Sequence, residues 1–166
     1  MKLMIASDIH GSAHWCRKLL DAFCVEKPDK LLLLGDILYH GPRNDLPEGY
    51  DPKEVIAMLN PLKDKILCVR GNCEAEVDQM VLDFPCLADY CVLYIDGKTI
   101  IAAHGHRQYP EPARGEILAT GHTHVTLRAE ENGYLHINPG SVSLPKEGTP
   151  RGYIVITGGK EAFKTL

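Results

Sequence analysis

The sequence predicts an α/β layered fold, and three observations point there. Short apolar runs alternate with stretches of three-to-four hydrophobic spacing through residues 3–83. From residue 92 onward the pattern changes to paired runs, each pair separated by a two-residue turn signal of the Asp-Gly, Asn-Gly or Gly-Gly type. Many of the apolar runs are followed by glycine and a polar side chain, as at sheet edges that carry loops. Two arrangements remain open on this evidence: one central sheet, or two sheets packed face to face with helices outside. With 166 residues and no repeat or linker, residues 1–166 are expected to form a single domain.

Each element has its own reason. Residues 3–7 are an apolar run that ends at Asp8. Trp15, Leu19 and Phe23, flanked by Cys16, Leu20 and Cys24, recur at helical spacing across residues 13–26, with Ser12 as cap and Pro28 as stop. Leu31–Leu34 fits either a buried strand or a helix fragment; its length and Gly35 favour the strand. Residues 39–51, rich in Gly, Pro and Asn, are expected to form a long loop of the kind that carries function. Pro52 opens a second helix to about Leu59. Ile66–Val69 is a third strand, and residues 74–83 form a short helix. Three hairpins complete the chain: Val92–Ile95 with Thr99–Ala103 about Asp96-Gly97, Leu127–Glu130 with Tyr134–Ile137 about Asn132-Gly133, and Tyr153–Thr157 with Ala162–Leu166 about Gly158-Gly159.

Composition narrows the function. A net charge of -4, with no Lys/Arg cluster, argues against stable nucleic-acid binding through phosphate neutralisation but leaves a nucleotide substrate open. The N-terminal apolar run turns polar at Ser7-Asp8, too soon for a secretory signal or a membrane span, so a cytoplasmic chain is expected. Six cysteines include no Cys-x-x-Cys pair and are expected to be reduced thiols, mostly buried.

The informative pattern lies just beyond the strands. The first strand delivers Asp8-Ile9-His10, the second Gly35-Asp36, and the third Gly71-Asn72. The fourth delivers His104-Gly105-His106, and the run Ile117–Thr120 leads to Gly121-His122-Thr123-His124. Ligands bind at the carboxyl ends of strands in α/β sheets, and these oxygen and imidazole donors suit divalent metals. On extended backbone, the i and i+2 residues of Asp8-x-His10 and of His122-x-His124 would point the same way and each pair would grip one ion. The glycines at 35, 71, 105 and 121 would let the donors approach one another. A lone Asp or His after a strand is more often a cap or turn residue. Five of the eight histidines at such positions is not what folding rules alone produce. His14, His40 and His136 are expected at the surface or behind the site, with His40, in the long loop, the first candidate for an exception.

Taken in order, Asp8-x-His10, Gly35-Asp36, Gly71-Asn72-x-Glu74, His104 and Gly121-His122-x-His124 resemble the signature of the calcineurin-like metallophosphoesterases. Ser7–Gly11, His40–Asn44, Val69–Cys73 and Asn138–Ser141 look like the small phosphodiesterase branch of that family. The resemblance spans residues 3 to about 145. It implies a four-layer α/β/β/α sandwich. It implies one metal held by Asp8, His10, Asp36 and His124 and a second by Asp36, Asn72, His104 and His122, with Asp36 bridging. Two divalent ions, manganese first and iron, nickel or zinc as alternatives, are the expected cofactors, and a homo-oligomer is expected from relatives.

The mechanism so implied is hydrolysis of a small phosphodiester by a metal-bridging hydroxide attacking in line with the leaving oxygen. Asp36 and Asn72 are the central catalytic positions. Arg43 is the candidate to pair two phosphate oxygens, against an equal prior for a solvated loop arginine. His106 would donate to the phosphate or merely line the cavity. Cys73 stands where the superfamily usually has histidine, so a proton donor is weakened there, and its action as a nucleophile is the less favoured alternative. The competing functions are a non-catalytic scaffold, as in a retromer subunit of this fold, and a phosphomonoesterase, protein phosphatase or nuclease. Retention of all seven donor positions favours an enzyme.

Overall fold

Ten strands and three α-helices build two five-stranded sheets in this computed structural model, which describes residues 1–166. The order along the chain is β1 (Leu3–Ala6), α1 (Ala13–Glu26), β2 (Lys30–Leu33), α2 (Pro52–Leu59), β3 (Ile66–Cys68) and α3 (Glu76–Val81). Seven strands come after: β4 (Tyr90–Ile95), β5 (Lys98–Ala103), β6 (Ile117–Ala119), β7 (Thr126–Glu131), β8 (Tyr134–Pro139), β9 (Gly152–Thr157) and β10 (Lys160–Thr165). A 3₁₀ segment, Asn60–Lys65, which the sequence pattern did not reveal, prolongs α2.

The first sheet has the order β10-β9-β1-β2-β3. Strands β1, β2 and β3 run parallel because α1 and α2 serve as crossovers. Ser12 caps α1 by accepting from the Trp15 N–H at 3.2 Å, and Lys27, in the left-handed region, closes it. Asp51, not singled out from the sequence, caps α2 through the Glu54 N–H at 3.0 Å. The second sheet has the order β4-β5-β6-β8-β7, in which β5, β6 and β8 are mutually parallel. All three hairpin turns hold both central residues at positive φ: Asp96 at 50° and Gly97 at 80°, Asn132 at 49° and Gly133 at 90°, Gly158 at 58° and Gly159 at 71°. These are the conformations a type I′ turn requires.

Alternation along the strands separates two cores. Met4 and Ala6 of β1, with Leu31 and Leu33 of β2, face Cys16, Leu19 and Phe23 of α1 and Val55 and Leu59 of α2. Leu3, Ile5, Leu32 and Leu34 face the other way, against Ile100, Ala102, Ile117, Ala119 and Ile137 of the second sheet. Of the two open arrangements, the face-to-face sandwich is the one formed. At about 1.5–3 kcal/mol per buried large apolar side chain, these layers dominate the favourable side of folding, and Ile5→Ala would cost about 2–5 kcal/mol.

Helices α1 and α2 pack on the first sheet. The outer face of the second carries no helix: the connection from β5 to β6 includes Pro110 and Pro112 and stays irregular, and Tyr90, Val92 and Tyr94 of edge strand β4 project to solvent. The parallel strands of both sheets end at one rim, which positions the site.

Candidate metal centre

The rim is built by loops that run side by side beyond the strand ends. Asp8 N–H donates to Gly35 O at 3.1 Å, His10 N–H to Asp36 O at 2.9 Å, and Gly11 N–H to Ile37 O at 2.8 Å. The turn after β8 holds the same loop from the other side: Val142 N–H donates to Ser7 O at 3.0 Å, and Ser141 and Ser143 hydroxyls donate to Asp8 O at 2.7 and 3.2 Å. Asn138 Nδ2 donates to Gly121 O at 2.8 Å and so fixes the loop that carries His122 and His124. This gives the Asn138–Ser141 stretch its physical purpose.

Close approach requires glycine at two points. A Cβ on Gly71 would lie 2.1 Å from Asp36 Oδ1, and one on Gly121 would lie 2.0 Å from Ser7 Oγ. The donors themselves depart from the expected extended backbone. Asp8, His10, Asp36, His122 and His124 have φ of 60°, 50°, 55°, 69° and 61°, all left-handed. Such conformations cost about 1–3 kcal/mol each and concentrate at functional sites. The i and i+2 donors therefore do not lie on extended backbone. Asp8 and His10 do meet, with His10 Nε2 3.4 Å from Asp8 Oδ1, but His122 and His124 part company and join different groups.

The first group comprises Asp8 Oδ1, His10 Nε2 and His124 Nε2. Asp8 Oδ1 lies 3.2 Å from His124 Nε2, and the two imidazole nitrogens are 3.0 Å apart. The second comprises His104 Nε2, His122 Nδ1 and Asn72 Oδ1, with separations of 3.1, 2.7 and 3.2 Å. Asp36 Oδ2 lies between them, 3.6 Å from His10 Nε2 and 3.5 Å from His104 Nε2. All seven sequence-predicted donors are thus brought together.

The donor set fits cations on an internal argument. His10, His104 and His124 each direct Nδ1 at a main-chain carbonyl: Tyr39 O at 2.8 Å, Leu34 O at 2.6 Å and Leu144 O at 2.6 Å. A carbonyl only accepts, so Nδ1 carries a proton, and in the neutral ring Nε2 presents a lone pair. Two such lone pairs face each other across 3.0 Å beside Asp8 Oδ1, a buried oxygen with no hydrogen-bond partner. Only a positive charge among them, a metal ion or an extra proton, relieves this repulsion.

The titration behaviour has the same origin. Burial works to raise the Asp8 carboxyl, but His10 and His124 beside it hold it far below the usual range. Burial also opposes ionisation of Asp36, and His104 more than offsets this. For His104, burial opposes the charge, yet Asp36 and Asp8 lift it to about 9. His122 and His106 are both pushed down, by burial and by the neighbouring His104.

Glu74 is the main support that sequence reasoning quoted without a role. Its buried carboxylate accepts from three main-chain amides, Asp36 and Gly71 on Oε2 at 2.8 and 2.5 Å and Ile37 on Oε1 at 2.7 Å. Burial and the nearby Asp36 raise it to about 7. Cys73 lies beside the donors, its Sγ within 4.8 Å of ligand atoms of His10 and Asp36; its N–H donates to Asp36 Oδ1 at 2.8 Å, and its Sγ accepts from Asn72 Nδ2 at 3.3 Å. Burial and Asp36 push the thiol well up, so it stays protonated.

His106 stacks edge-on to His104 with centroids 5.2 Å apart, its Nδ1 buried without a partner. Arg43 is exposed and lines the cavity above the cluster with Asp36, Asn44, Asn72 and His122. His40 is no exception after all. Its ring packs against Tyr39 and Tyr50, and only its carbonyl contributes, by receiving Asn44 Nδ2 at 2.8 Å. His14 lies by Glu48, and His136 bonds Thr120 and Glu131, away from the donors.

The family model described as the calcineurin-like phosphoesterase superfamily domain matches residues 1–161. The phosphodiesterase YfcE of Escherichia coli strain K12 is 45% identical over 157 residues, which cover 92% of this chain and 85% of that protein. The solved structure of the same E. coli phosphoesterase superposes with a TM-score of 0.91 at 42% identity, covering 95% of this chain and 88% of the other. Vps29 from Entamoeba histolytica complexed with Zn+2 shares the fold, with a TM-score of 0.64 at 19% identity, covering 99% of this chain and 97% of that one.

Proposed function

The chain belongs to the calcineurin-like phosphoesterase superfamily, and from that premise we propose that it is a two-metal phosphodiesterase. Asp8, His10 and His124 would hold one divalent ion and Asn72, His104 and His122 the other, with Asp36 shared. The observation that carries this is the position of Asp36 Oδ2, within 3.6 Å of a lone pair from each group. Two divalent cations there would supply a water acidified toward neutrality and a positive field for the phosphoryl oxygens. Manganese is our first choice by analogy; iron, nickel and zinc suit the same donors.

The protein's own contribution is pre-organisation. Three imidazoles are locked by main-chain carbonyls, and Asp36 is locked by the amide of Cys73 and by Glu74, so the donors need no rearrangement on substrate arrival. Arg43 pairs non-bridging oxygens of the scissile phosphate. His106, kept neutral, donates a hydrogen bond to the same phosphate. Cys73, held as a thiol, is a weak donor near the leaving group and not a nucleophile.

The relative at 45% identity bears the name phosphodiesterase, which supports diester preference over the phosphomonoesterase and nuclease readings. No helix is long and apolar enough to cross a membrane. Cytoplasmic residence and pairing of copies are part of the proposal, the former supported by six free cysteines. The test is metal content together with turnover of a chromogenic phosphodiester and its monoester, at matched manganese, iron, nickel and zinc. Two bound ions with diester turnover above monoester is the expected result. A fully metallated protein that hydrolyses neither would be a scaffold, and faster monoester turnover would replace the diester reading.

A further inference from the structure

The cavity above the donors measures about 370 Å³ and has no apolar side chain in its wall. Nucleobases are bound by stacking on aromatic rings, and small-molecule pockets for them are largely apolar. The only rings in this wall are those of His122 and His124, which belong to the donor cluster. Tyr39 and Tyr50 pack on His40 and do not line the cavity. Whatever group of the substrate enters this space must be small, hydroxylated or charged.

Two cations reach the cavity, from different segments. Arg43 comes from the loop after β2 and lines the cavity beside Asn44 and His122. Lys146 comes from the turn after β8. Neither side chain has a carboxylate within ion-pair distance. The turn that carries Lys146 is strapped to a member of the donor cluster. His124 Nδ1 donates to Leu144 O at 2.6 Å, Lys146 N–H donates to His124 O at 3.0 Å, and Thr149 Oγ1 closes on Lys146 O at 2.8 Å. The main chain of Lys146 is thereby held at a fixed offset from the site, and its exposed side chain, with no carboxylate partner, is free to meet an anion that enters the cavity. A scissile phosphodiester carries a single negative charge, which the donor cluster and Arg43 already address.

We infer that Lys146 binds a second anionic group of the substrate, which makes the substrate class a small hydroxylated phosphodiester bearing a carboxylate or another phosphate, without a nucleobase. This deepens the phosphodiesterase reading and rests on it. Lys146 is on this account a specificity residue, because it touches the substrate away from the reacting phosphorus.

The experiment uses the full chain loaded with manganese and four p-nitrophenyl phosphodiesters that share a leaving group. Their other ester is propyl, 2-carboxyethyl, 2-phosphoethyl or the thymidine 5′-nucleoside. KM is expected to be lower by about tenfold for whichever anionic arm the site selects than for the propyl arm, as for one charge-assisted contact. This advantage shrinks as salt is raised. Lys146→Met should raise KM for that arm about tenfold more than for the propyl arm, with kcat changing far less, and Lys146→Arg should restore most of the preference. The carboxylate and phosphate arms tell the two anions apart. Equal KM across the three non-nucleoside arms, equal losses on all arms in Lys146→Met, or preference for the thymidine arm would each overturn the inference. A metallated wild type that turns over none of the four removes the phosphodiesterase reading and this inference with it. Turnover of the propyl arm without charge preference removes only the second-anion site.

Discussion

The two halves of the donor cluster differ in how they are held. Asp8, His10, Asp36, His104 and His124 are at most 2% exposed except for His124, at 3%, and their free ring nitrogens or carboxylate oxygens are aimed by main-chain bonds. Asn72 and His122 lie towards solvent and are bonded chiefly to each other and to His104. The fold therefore aims the side chains of the first half directly, whereas those of the second are aimed by each other and by His104 at the cavity mouth. A site of this kind keeps its permanent charges in the interior and leaves its adjustable donors where substrate arrives.

The hardest test of that contrast is Asp36→Ala. Removing the carboxylate between the two groups takes away the shared donor and leaves His10 and His104 without their counter-charge. We predict a loss of turnover beyond ~100-fold, above the range for residues that merely support ligands, and loss of bound metal by elemental analysis. Full activity in this variant would break the assignment of Asp36.

Glu74→Gln asks whether the main chain, and not the donor side chain alone, fixes the buried half. One amide nitrogen would replace an oxygen that accepts main-chain N–H groups, so at least one of those donors is left unpaired. The expected outcome is a ~10–100-fold drop in metal affinity or kcat/KM. A variant with wild-type metal affinity and rate would mean that Asp36 needs no such backing.

The smallest effect is a pH dependence of the metal-stripped protein. His104 in the folded chain titrates near 9, above its ordinary 6.5. Between those values the folded state keeps a proton that the unfolded state has lost. The associated stability is therefore complete below pH 6.5 and is lost as pH rises through 9. His122, pushed below its ordinary value, acts with the opposite sign, and its contribution is nearly complete once pH has risen past its ordinary 6.5. Each kcal/mol so lost lowers Tm by about 2–4 °C for a chain of this size. Thermal scans in chelator at pH 6.5 and 9 should show the decline, and saturating manganese should abolish it. A flat profile in chelator would sharpen the contrast against us, by showing that the buried half is not charged when empty of metal.

Much of this was legible in the residues. The turn dipeptides Asp96-Gly97, Asn132-Gly133 and Gly158-Gly159 specify their own backbone, so the hairpins could be read locally. The seven donors could be read because each comes after an apolar run, and the strand ends converge by the rules of parallel sheets. What was illegible depended on distance through space. Glu74 looks like a helix-start carboxylate until the amides of Asp36 and Ile37 are seen to meet it. Lys146 looks like any turn lysine, since only the bond from its N–H to His124 O gives it a place. The left-handed φ of five donors could not be foreseen, because neither Asp nor His demands it; the packed loops impose it.

The C-terminal hairpin has a consequence for how the molecule comes into being. Strand β1, which delivers Asp8, lies between β2 and β9, and β9 follows β1 by about 150 residues in the chain. Until residues 152–157 emerge, one flank of β1 has no antiparallel neighbour and must wait with its amides and carbonyls unpaired. Closure joins positions about 150 residues apart, a long-range contact of the kind that slows folding, so the nascent chain carries an open strand edge from the synthesis of β1 until that of β9.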